Sequence, residues 1–461
     1  MNFSDSERIR GVLEKAGFSF SESEEKSDIV VVNSCSVRLS SENKAISYIK
    51  SQRKKSKEKI LVLTGCVGKN YTENELRKKI PELNLSIPIS EINILPDILR
   101  SLKSDEFSRI DDLTLKSSYF SIMPSYGSKF RAYVPIMTGC DNFCSYCIVP
   151  ISRGREESRP FLEIVSEVKS LVEKGYKEII LLGQNVNSYG QKSGGKFLDL
   201  ESARKKGVLP EDVFSKFGEK KDFQNFSKSG KIFSELVRRI LAEINQFFWL
   251  RFISPNPDNF SDDLIEIAKN DERVVRLFHI PLQSGSNRIL KLMKRNYTKE
   301  NYINLIQKIR SKIPEMEFTT DIIVGFPTES EEDFGETLEL VRLVQFSNSF
   351  TAKFSPRKGT IAFEMVDDVP SKVKKERENI ISKEIERITF EKSEKLVLRS
   401  KDKNERFKVL IENNEGEFFS GITFENKRVF LKKNDGINLS TGKFYDVRLI
   451  KSVGWGFVGE I

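Results

Sequence analysis

Gly139-Cys140-Asp141-Asn142-Phe143-Cys144-Ser145-Tyr146-Cys147 places three of the chain's five cysteines within eight residues, spaced C-x3-C-x2-C. The only histidine, His279, lies far away in the sequence. Thiolates this close can hold a metal, but a closed structural zinc site takes four Cys or His ligands. A four-iron, four-sulfur cluster held by three thiolates keeps one iron open for a substrate or cofactor. Three ligands favour the open-iron reading, with a zinc knuckle or incidental buried cysteines as the alternatives.

A chain of 461 residues exceeds one ordinary core, so two or three domains are expected. Charged residues make up 31% of it and the formal net charge is +9, which favours a polyanionic partner by long-range attraction. No apolar run approaches the roughly 20 residues that span a bilayer. The first residues lack the basic-then-apolar pattern of a secretory signal. The sequence reads as cytosolic, a compartment in which cysteines serve as ligands or free thiols rather than as a disulfide framework.

Ahead of the cysteine stretch, Ile9, Val12, Leu13 and Ala16 keep a helical period, with Asp5 expected as N-cap and Gly17 as stop. Asp28 to Asn33 and Lys59 to Thr64 read as buried parallel strands separated by a basic helix from Ser41 to Lys57, an open α/β pattern. A cysteine follows each strand, Cys35 and Cys66. Ligands of such sheets gather at the carboxyl ends of strands, so the two thiols are candidates to converge.

Beyond the cysteine stretch, strands are expected at Ala132 to Met137, Glu178 to Leu182, Leu250 to Ile253, Val275 to Ile280, Phe318 to Val324 and Phe350 to Phe354. Helices are expected at Phe161 to Lys174, Ile232 to Ile244, Phe260 to Lys269, Thr298 to Lys312 and Glu331 to Val344. Repeated strand-helix units predict parallel strands in a partial (β/α)6 barrel. Distinctive residues follow the strands: Cys140, Gln184 and Asn185, Ser254, His279 with Gln283, Gly325, and Ser355-Pro356-Arg357. That end of a parallel barrel is where chemistry is assembled. Arg153 and Arg155 are candidate anion contacts or solvent-face caps, and His279 reads first as a structural hydrogen-bonding residue. The polar segment between Gln191 and Lys231 reads as a mobile surface insertion, with an RNA contact as the minority reading.

A charged helical connector is expected over 369–394. It leads to short alternating runs, Phe407 to Ile411, Phe418 to Gly421, Arg428 to Leu431 and Tyr445 to Ile450, punctuated by Gly416, Gly436 and Gly442. This is a small all-β barrel pattern. Its aromatics and Lys/Arg residues suit RNA, although Glu412, Glu415, Glu417 and Asp435 are interspersed.

The C-x3-C-x2-C motif with Tyr146 before its last cysteine resembles radical S-adenosylmethionine (SAM) enzymes. Its continuation Ser152-Arg153-Gly154-Arg155-Glu156-Glu157-Ser158-Arg159-Pro160 resembles the methylthiotransferases. The resemblance spans nearly the whole chain and implies an α/β multidomain protein. Its parts would be an N-terminal methylthiotransferase domain (1–118), a radical-SAM barrel (126–368), the connector, and a C-terminal RNA-binding domain (395–461) resembling TRAM domains. It implies a [4Fe–4S] cluster on Cys140, Cys144 and Cys147, whose open iron chelates SAM, and an auxiliary [4Fe–4S] cluster to which Cys35 and Cys66 contribute. Tyr146, Gln184, Asn185, Ser254, Gln283 and Gly325 are candidate SAM contacts, with a packing aromatic as the alternative for Tyr146 and satisfied turns as the alternative for the polar strand ends.

In the family's Gly-Cys-x-x-Asn-x-x-Asp-Ser-Glu pattern the match begins at Met1-Asn2 and runs through Asp5-Ser6-Glu7, so the first auxiliary cysteine falls just before residue 1. The reading implies a start assigned too late or a clipped chain, with a natural two-cysteine variant as the alternative. Leu182 to Gly190 matches the branch that modifies isopentenylated adenosine beside the tRNA anticodon. That branch uses one SAM to methylate a sulfur and another, cleaved reductively, to remove hydrogen from C2 of the base. The resemblance implies an electron donor such as flavodoxin or ferredoxin, a monomer and no membrane. Alternatives are the branches acting on threonylcarbamoyladenosine or on a ribosomal-protein aspartate, and a catalytically impaired RNA-binding homologue.

Overall fold

Two apolar runs, each followed by a cysteine, pair in parallel to form the first sheet of the computed structural model. β1 (Ile29–Ser34) runs beside β2 (Ile60–Gly65) in the register Ile29↔Ile60 to Ser34↔Gly65, and β2 pairs with the short β3 (Leu85–Ser86). Side chains alternate across a strand. Val62 therefore packs with Ile92, Leu95 and Leu99 on one face, while Leu61 and Leu63 pack with Ile49, Leu76 and Ile80 on the other.

The structure describes residues 1–103, 119–193, 196–217, 220–433, 438–454 and 456–461. The expected boundary at 118, Asp435 and Gly436 lie outside them. Two compact units result. The first combines Met1–Gly127, Thr138–Glu156 and Ser355–Phe363; the second combines Ser128–Met137, Glu157–Phe354 and Glu364–Ile461.

In the first unit the opening helix spans Asn2–Lys15 and so begins ahead of Asp5, which is not its N-cap. Asp5 is fully buried and takes the Tyr119 hydroxyl at 2.6 Å and an ion pair from Arg153. A tertiary partner has claimed the carboxylate that helix chemistry alone would have placed at the cap.

In the second unit six parallel strands run in sequence order. β4 (Arg131–Pro135), β5 (Glu178–Leu182) and β6 (Trp249–Phe252) form one sheet, and β7 (Leu277–His279), β8 (Glu317–Val324) and β9 (Asn348–Lys353) another. Parallel bridges Leu250↔Val274 and Ile253↔His279 join β6 to the segment of β7. Helices Phe161–Glu173, Lys231–Glu243, Asp262–Asn270, Lys299–Lys312 and Glu331–Val344 lie between strands, close to the positions the period predicts.

The connector is longer than expected. One helix, Ser371–Asp402, runs eight residues past 394 and through the expected domain start at 395. Its apolar face continues through Ile381, Ile385, Ile388 and Val397 beneath a charged composition that conceals it. It ends before a closed barrel of β10 (Phe407–Glu415), β11 (Phe418–Thr423), β12 (Arg428–Lys432), β13 (Phe444–Val453) and β14 (Gly456–Glu460), ordered β10-β11-β12-β14-β13. Val409, Ile411, Phe419, Val429, Leu431, Val447, Leu449 and Phe457 fill it.

The described residues of the 191–231 segment form a hairpin and helices, where the polar composition predicts a mobile insertion. Phe214 and Phe223 are buried, and Phe217 meets Phe223 and Phe226 with ring centroids 5.6 and 5.0 Å apart. Four phenylalanines spread among polar residues supply a core that composition averages away.

The five-stranded barrel is fixed to the parallel sheet by Trp249 packing on Phe424 and Phe444, and by buried charge. Glu178 pairs with both Arg131 and Arg251, and Arg131 also reaches Glu412. Removing one partner from a buried pair strands the remaining charges. Glu178→Ala is expected to destabilise the second unit by about 3–5 kcal/mol in chemical denaturation; an unchanged midpoint would show the network to be dispensable.

Candidate active site

Gly139 turns the chain into the cysteine loop at φ +74°, and a Cβ there would stand 2.0 Å from the Arg155 carbonyl oxygen. Only glycine allows that approach at that angle. The Cys140 N–H then donates to the Gly154 carbonyl at 3.2 Å, and the Cys147 N–H to the Cys144 carbonyl at 3.0 Å. Phe143 is also left-handed, at φ +47°. Asp141 braces the loop from within, accepting from the Arg155 guanidinium at 2.9 Å, while its second carboxylate oxygen is buried without a partner.

All three cysteines are free of disulfides, Cys140 buried and Cys144 and Cys147 half-buried. Burial pushes the Cys140 thiol well up, and Glu156, Cys147 and Cys144 push the same way, so Cys144 and Cys147 both lie within electrostatic reach of Cys140. A bound cation reverses that logic by stabilising the thiolates. Among the described residues no three His, Cys, Asp or Glu side chains are grouped to hold a single metal ion. A cluster asks for a different arrangement, because each thiolate binds a separate iron. The donor set fits a cluster with one open iron.

Cys35 and Cys66 are brought together by the β1–β2 register, as each directly follows the last pair, Ser34↔Gly65. The Cys66 N–H donates to the Ser34 carbonyl at 2.9 Å. Gly65 permits the contact, since a Cβ there would meet the Ser34 oxygen at 2.4 Å. The Met1 amino group lies in the electrostatic field of both thiols, of Asp5 and of Arg153. Arg153 is itself buried; burial opposes its charge, but Asp5 and Cys66 outweigh that and hold the guanidinium firmly protonated. Neither loop arginine is a free anion contact, for Arg153 is spent on Asp5 and Arg155 on Asp141, with Arg155 also lying 4.4 Å over the exposed Phe143 ring. Asp5 lies 148 residues from Arg153, and Asp141 stands across the cysteine loop from Arg155, so local pattern reveals neither pair.

Tyr146 is half-buried in the same loop. Arg357, expected at a strand end, is buried in this unit against Glu42 at 3.2 Å and donates to the Val37 carbonyl at 3.3 Å. The Ala362 N–H donates to the Ser145 carbonyl at 2.7 Å, which braces the cysteine loop with the 355–363 segment.

The remaining candidates sit in the second unit at the carboxyl ends of its strands. After β5, the side-chain oxygens of Gln184 and Asn185 are buried without a hydrogen-bond partner. Such atoms are costly unless something else satisfies them. Asn187 of the same motif is structural: it donates to the Asn256 carbonyl and accepts from the Asn256 N–H, both at 2.8 Å. Ser254 and Gln283 hold left-handed angles of φ +62° and +68°, strain that collects at functional sites. The Gln283 loop is locked by the Gly285 N–H donating to Thr337 Oγ1 at 2.9 Å and by Ser286 Oγ donating to Asp333 at 2.6 Å. His279 rests between Thr319 Oγ1 at 3.0 Å and Asp321 Oδ2 at 3.2 Å, in keeping with a structural role.

Gly325 departs from expectation. The space beside its α-carbon is filled by the Lys374 side chain, 2.3 Å from where a Cβ would stand, and its N–H donates to Glu329 at 2.6 Å. The glycine admits a lysine stem rather than a cofactor.

The family model for the radical SAM superfamily matches residues 134–341, and that of uncharacterized protein family UPF0004 matches residues 1–87. The chain is 35% identical over 464 residues to tRNA-2-methylthio-N(6)-dimethylallyladenosine synthase of Carboxydothermus hydrogenoformans, covering 97% of this chain and 94% of the relative. It is 35% identical to the Fusobacterium nucleatum protein of that name, over 100% of this chain and 97% of the relative. The Thermotoga petrophila protein is 36% identical, over 100% and 94%. Among solved structures, the radical S-adenosylmethionine methyltransferase TsrM of Kitasatospora setae aligns at TM-score 0.47 and 12% identity, over 76% of this chain and 70% of that one.

Gly139→Ala is expected to abolish iron and sulfide uptake during anaerobic reconstitution of the Cys140 loop while leaving far-UV circular dichroism unchanged. Retention of full iron content by that variant would contradict the role assigned to the turn.

Proposed function

The chain belongs to the tRNA-2-methylthio-N(6)-dimethylallyladenosine synthase family, and from that premise we propose that it adds a methylthio group to C2 of the isopentenylated adenosine beside the tRNA anticodon. The observation that carries this reading is the loop that bears Cys140, Cys144 and Cys147, none of them in a disulfide, behind the Gly139 turn. In the proposal these residues hold a [4Fe–4S] cluster, which when bound supplies the reductive cleavage of SAM needed to activate an aromatic C–H with no readily removed proton.

The protein's own groups bind, orient and shield. Burial of Cys140 and the Asp141–Arg155 brace keep water from one side of the loop and fix the spacing of its thiols. The unpaired oxygens of Gln184 and Asn185 are suited to accept hydrogen bonds from the hydroxyl or ammonium groups of SAM. Tyr146, Ser254 and Gln283 complete the proposed cosubstrate contacts; Gly325 leaves the set because Lys374 occupies its open side. Cys35 and Cys66 are proposed to contribute two thiolates to an auxiliary cluster.

The six parallel strands in sequence order support a partial (β/α)6 barrel, and the closed five-stranded module after Asp402 supports a TRAM-like RNA contact. No helix among the described residues is long and apolar enough to cross a membrane. We place the protein in the cytoplasm as a monomer, reduced by a flavodoxin or ferredoxin.

The test is nucleoside mass analysis of isopentenyladenosine-containing tRNA after incubation with the reconstituted chain, reductant and SAM. The expected product is isopentenyladenosine heavier by one SCH2 unit, lost in a Cys140→Ala/Cys144→Ala/Cys147→Ala variant. The same gain on threonylcarbamoyladenosine instead, or on no nucleoside, would refute the assignment.

A further inference from the structure

The described residues between Gln191 and Lys231 fold around a phenylalanine core, yet they leave the Phe197 ring outside it. Lys192–Ser193 and Lys196–Phe197 form a short antiparallel hairpin in which Lys192 pairs directly with Phe197. Phe197 is 52% exposed. The Lys192 ammonium lies 4.7 Å from its ring centroid, and that of Lys228, the last residue of the helix Lys220–Lys228, lies 5.1 Å from it. Lys196 is exposed beside them. Among the described residues none of these three lysines has an acidic partner, whereas Arg204 and Arg239 nearby are paired with Glu211 and Asp212. The helix bearing Lys228 is anchored through the buried Phe223, and the Gly207 carbonyl accepts from the Phe161 N–H at 2.7 Å. The platform is therefore held by packing while its outer ring stays about half exposed beside the two ammonium groups.

Charge points the same way. The 41 residues from 191 to 231 carry ten basic and six acidic side chains, so this segment supplies +4 of the chain's +9. A π-face flanked by unpaired ammonium groups matches the chemistry of a nucleic-acid strand. A base stacks on the ring, and the phosphates on either side of it meet the lysines. An acidic protein surface would satisfy the lysines but would leave the ring in water.

We propose that Phe197, Lys192 and Lys228 form a second RNA-contact platform, which stacks an unpaired base of the substrate tRNA and grips its backbone. The inference rests on the tRNA reading above and adds to it a surface outside the cysteine loops, the strand ends and the C-terminal barrel. Phe197 touches neither SAM nor the reacting base in this account, so it acts in substrate binding alone.

The test is fluorescence anisotropy of the full reconstituted chain with labelled isopentenyladenosine-containing tRNA across a salt series, together with turnover kinetics. Phe197→Ala is expected to weaken tRNA binding about tenfold or more through lost stacking. Phe197→Tyr, which keeps the ring, should bind as the wild type does. Lys192→Gln/Lys228→Gln should lower the slope of log affinity against log salt by roughly 1.4, for two single-strand phosphate contacts. In each weakened variant KM for tRNA rises while kcat and tRNA-independent SAM cleavage stay at wild-type values, a split that a folding defect would not give. If the wild type binds tRNA and all variants match it, the lysines only cover the ring and this inference alone fails. If the wild type binds no tRNA, the functional reading falls and this platform with it.

Discussion

The buried ion pair between Arg153 and Asp5 is the contact on which the thiol-bearing unit depends. It joins the segment that carries Cys140, Cys144 and Cys147 to the first helix, beside Cys66. Burying two charges costs several kcal/mol per ion unless geometry and further hydrogen bonds offset it. Here the Tyr119 hydroxyl gives Asp5 a second partner at 2.6 Å, and Arg153 has a further contact with Asn2 at 3.4 Å. The Arg357–Glu42 pair repeats the device in the same unit. Cysteine loops are polar, glycine-containing and short, and they cannot bury enough apolar surface to fix themselves. Charge pairs between segments distant in sequence take over that task.

The second unit meets the opposite problem. Its parallel strands supply an apolar wall and bring polar side chains to their carboxyl ends, where some are fully used and others are not. Asn187, His279, Ser286 and Asp333 have their hydrogen bonds within the protein. Gln184 and Asn185 do not, and Ser254 and Gln283 retain backbone strain. The unit leaves other buried side-chain atoms unpaired too, at Ser227, Trp249, Asn259 and Arg377, yet in the Gln184–Asn187 motif open oxygens stand beside a fully paired neighbour. That contrast separates binding candidates from structural neighbours within one motif.

Periodicity made much of the fold legible. The strand Glu178–Leu182 and the helix Glu331–Val344 follow their expected limits, the first as a continuous apolar run and the second behind the Ser330 cap that Asp333 completes. The cysteine spacing made the central loop legible as well, since metal-ligand spacing is written locally. What stayed hidden was long-range. Asp5 resembles a helix cap until Arg153 and Tyr119 claim it. Gly325 resembles a cofactor approach until Lys374 fills the space beside it. The helix from Ser371 to Asp402 hides a narrow apolar seam under charge, and the 191–231 segment hides its phenylalanine core under polar composition. Local pattern cannot report a partner supplied by a distant segment.

The central claim is that the Cys140, Cys144 and Cys147 thiolates leave one iron open, and that SAM occupies it. It is tested most directly by electron paramagnetic resonance of the reduced, reconstituted chain with SAM labelled by nitrogen-15 at the amino group and oxygen-17 at the carboxylate. The account predicts hyperfine coupling from both labels to a cluster signal that disappears in Cys144→Ala. A label-coupled signal that persists in that variant, or a Cys144-dependent cluster signal without coupling to either label, would contradict it.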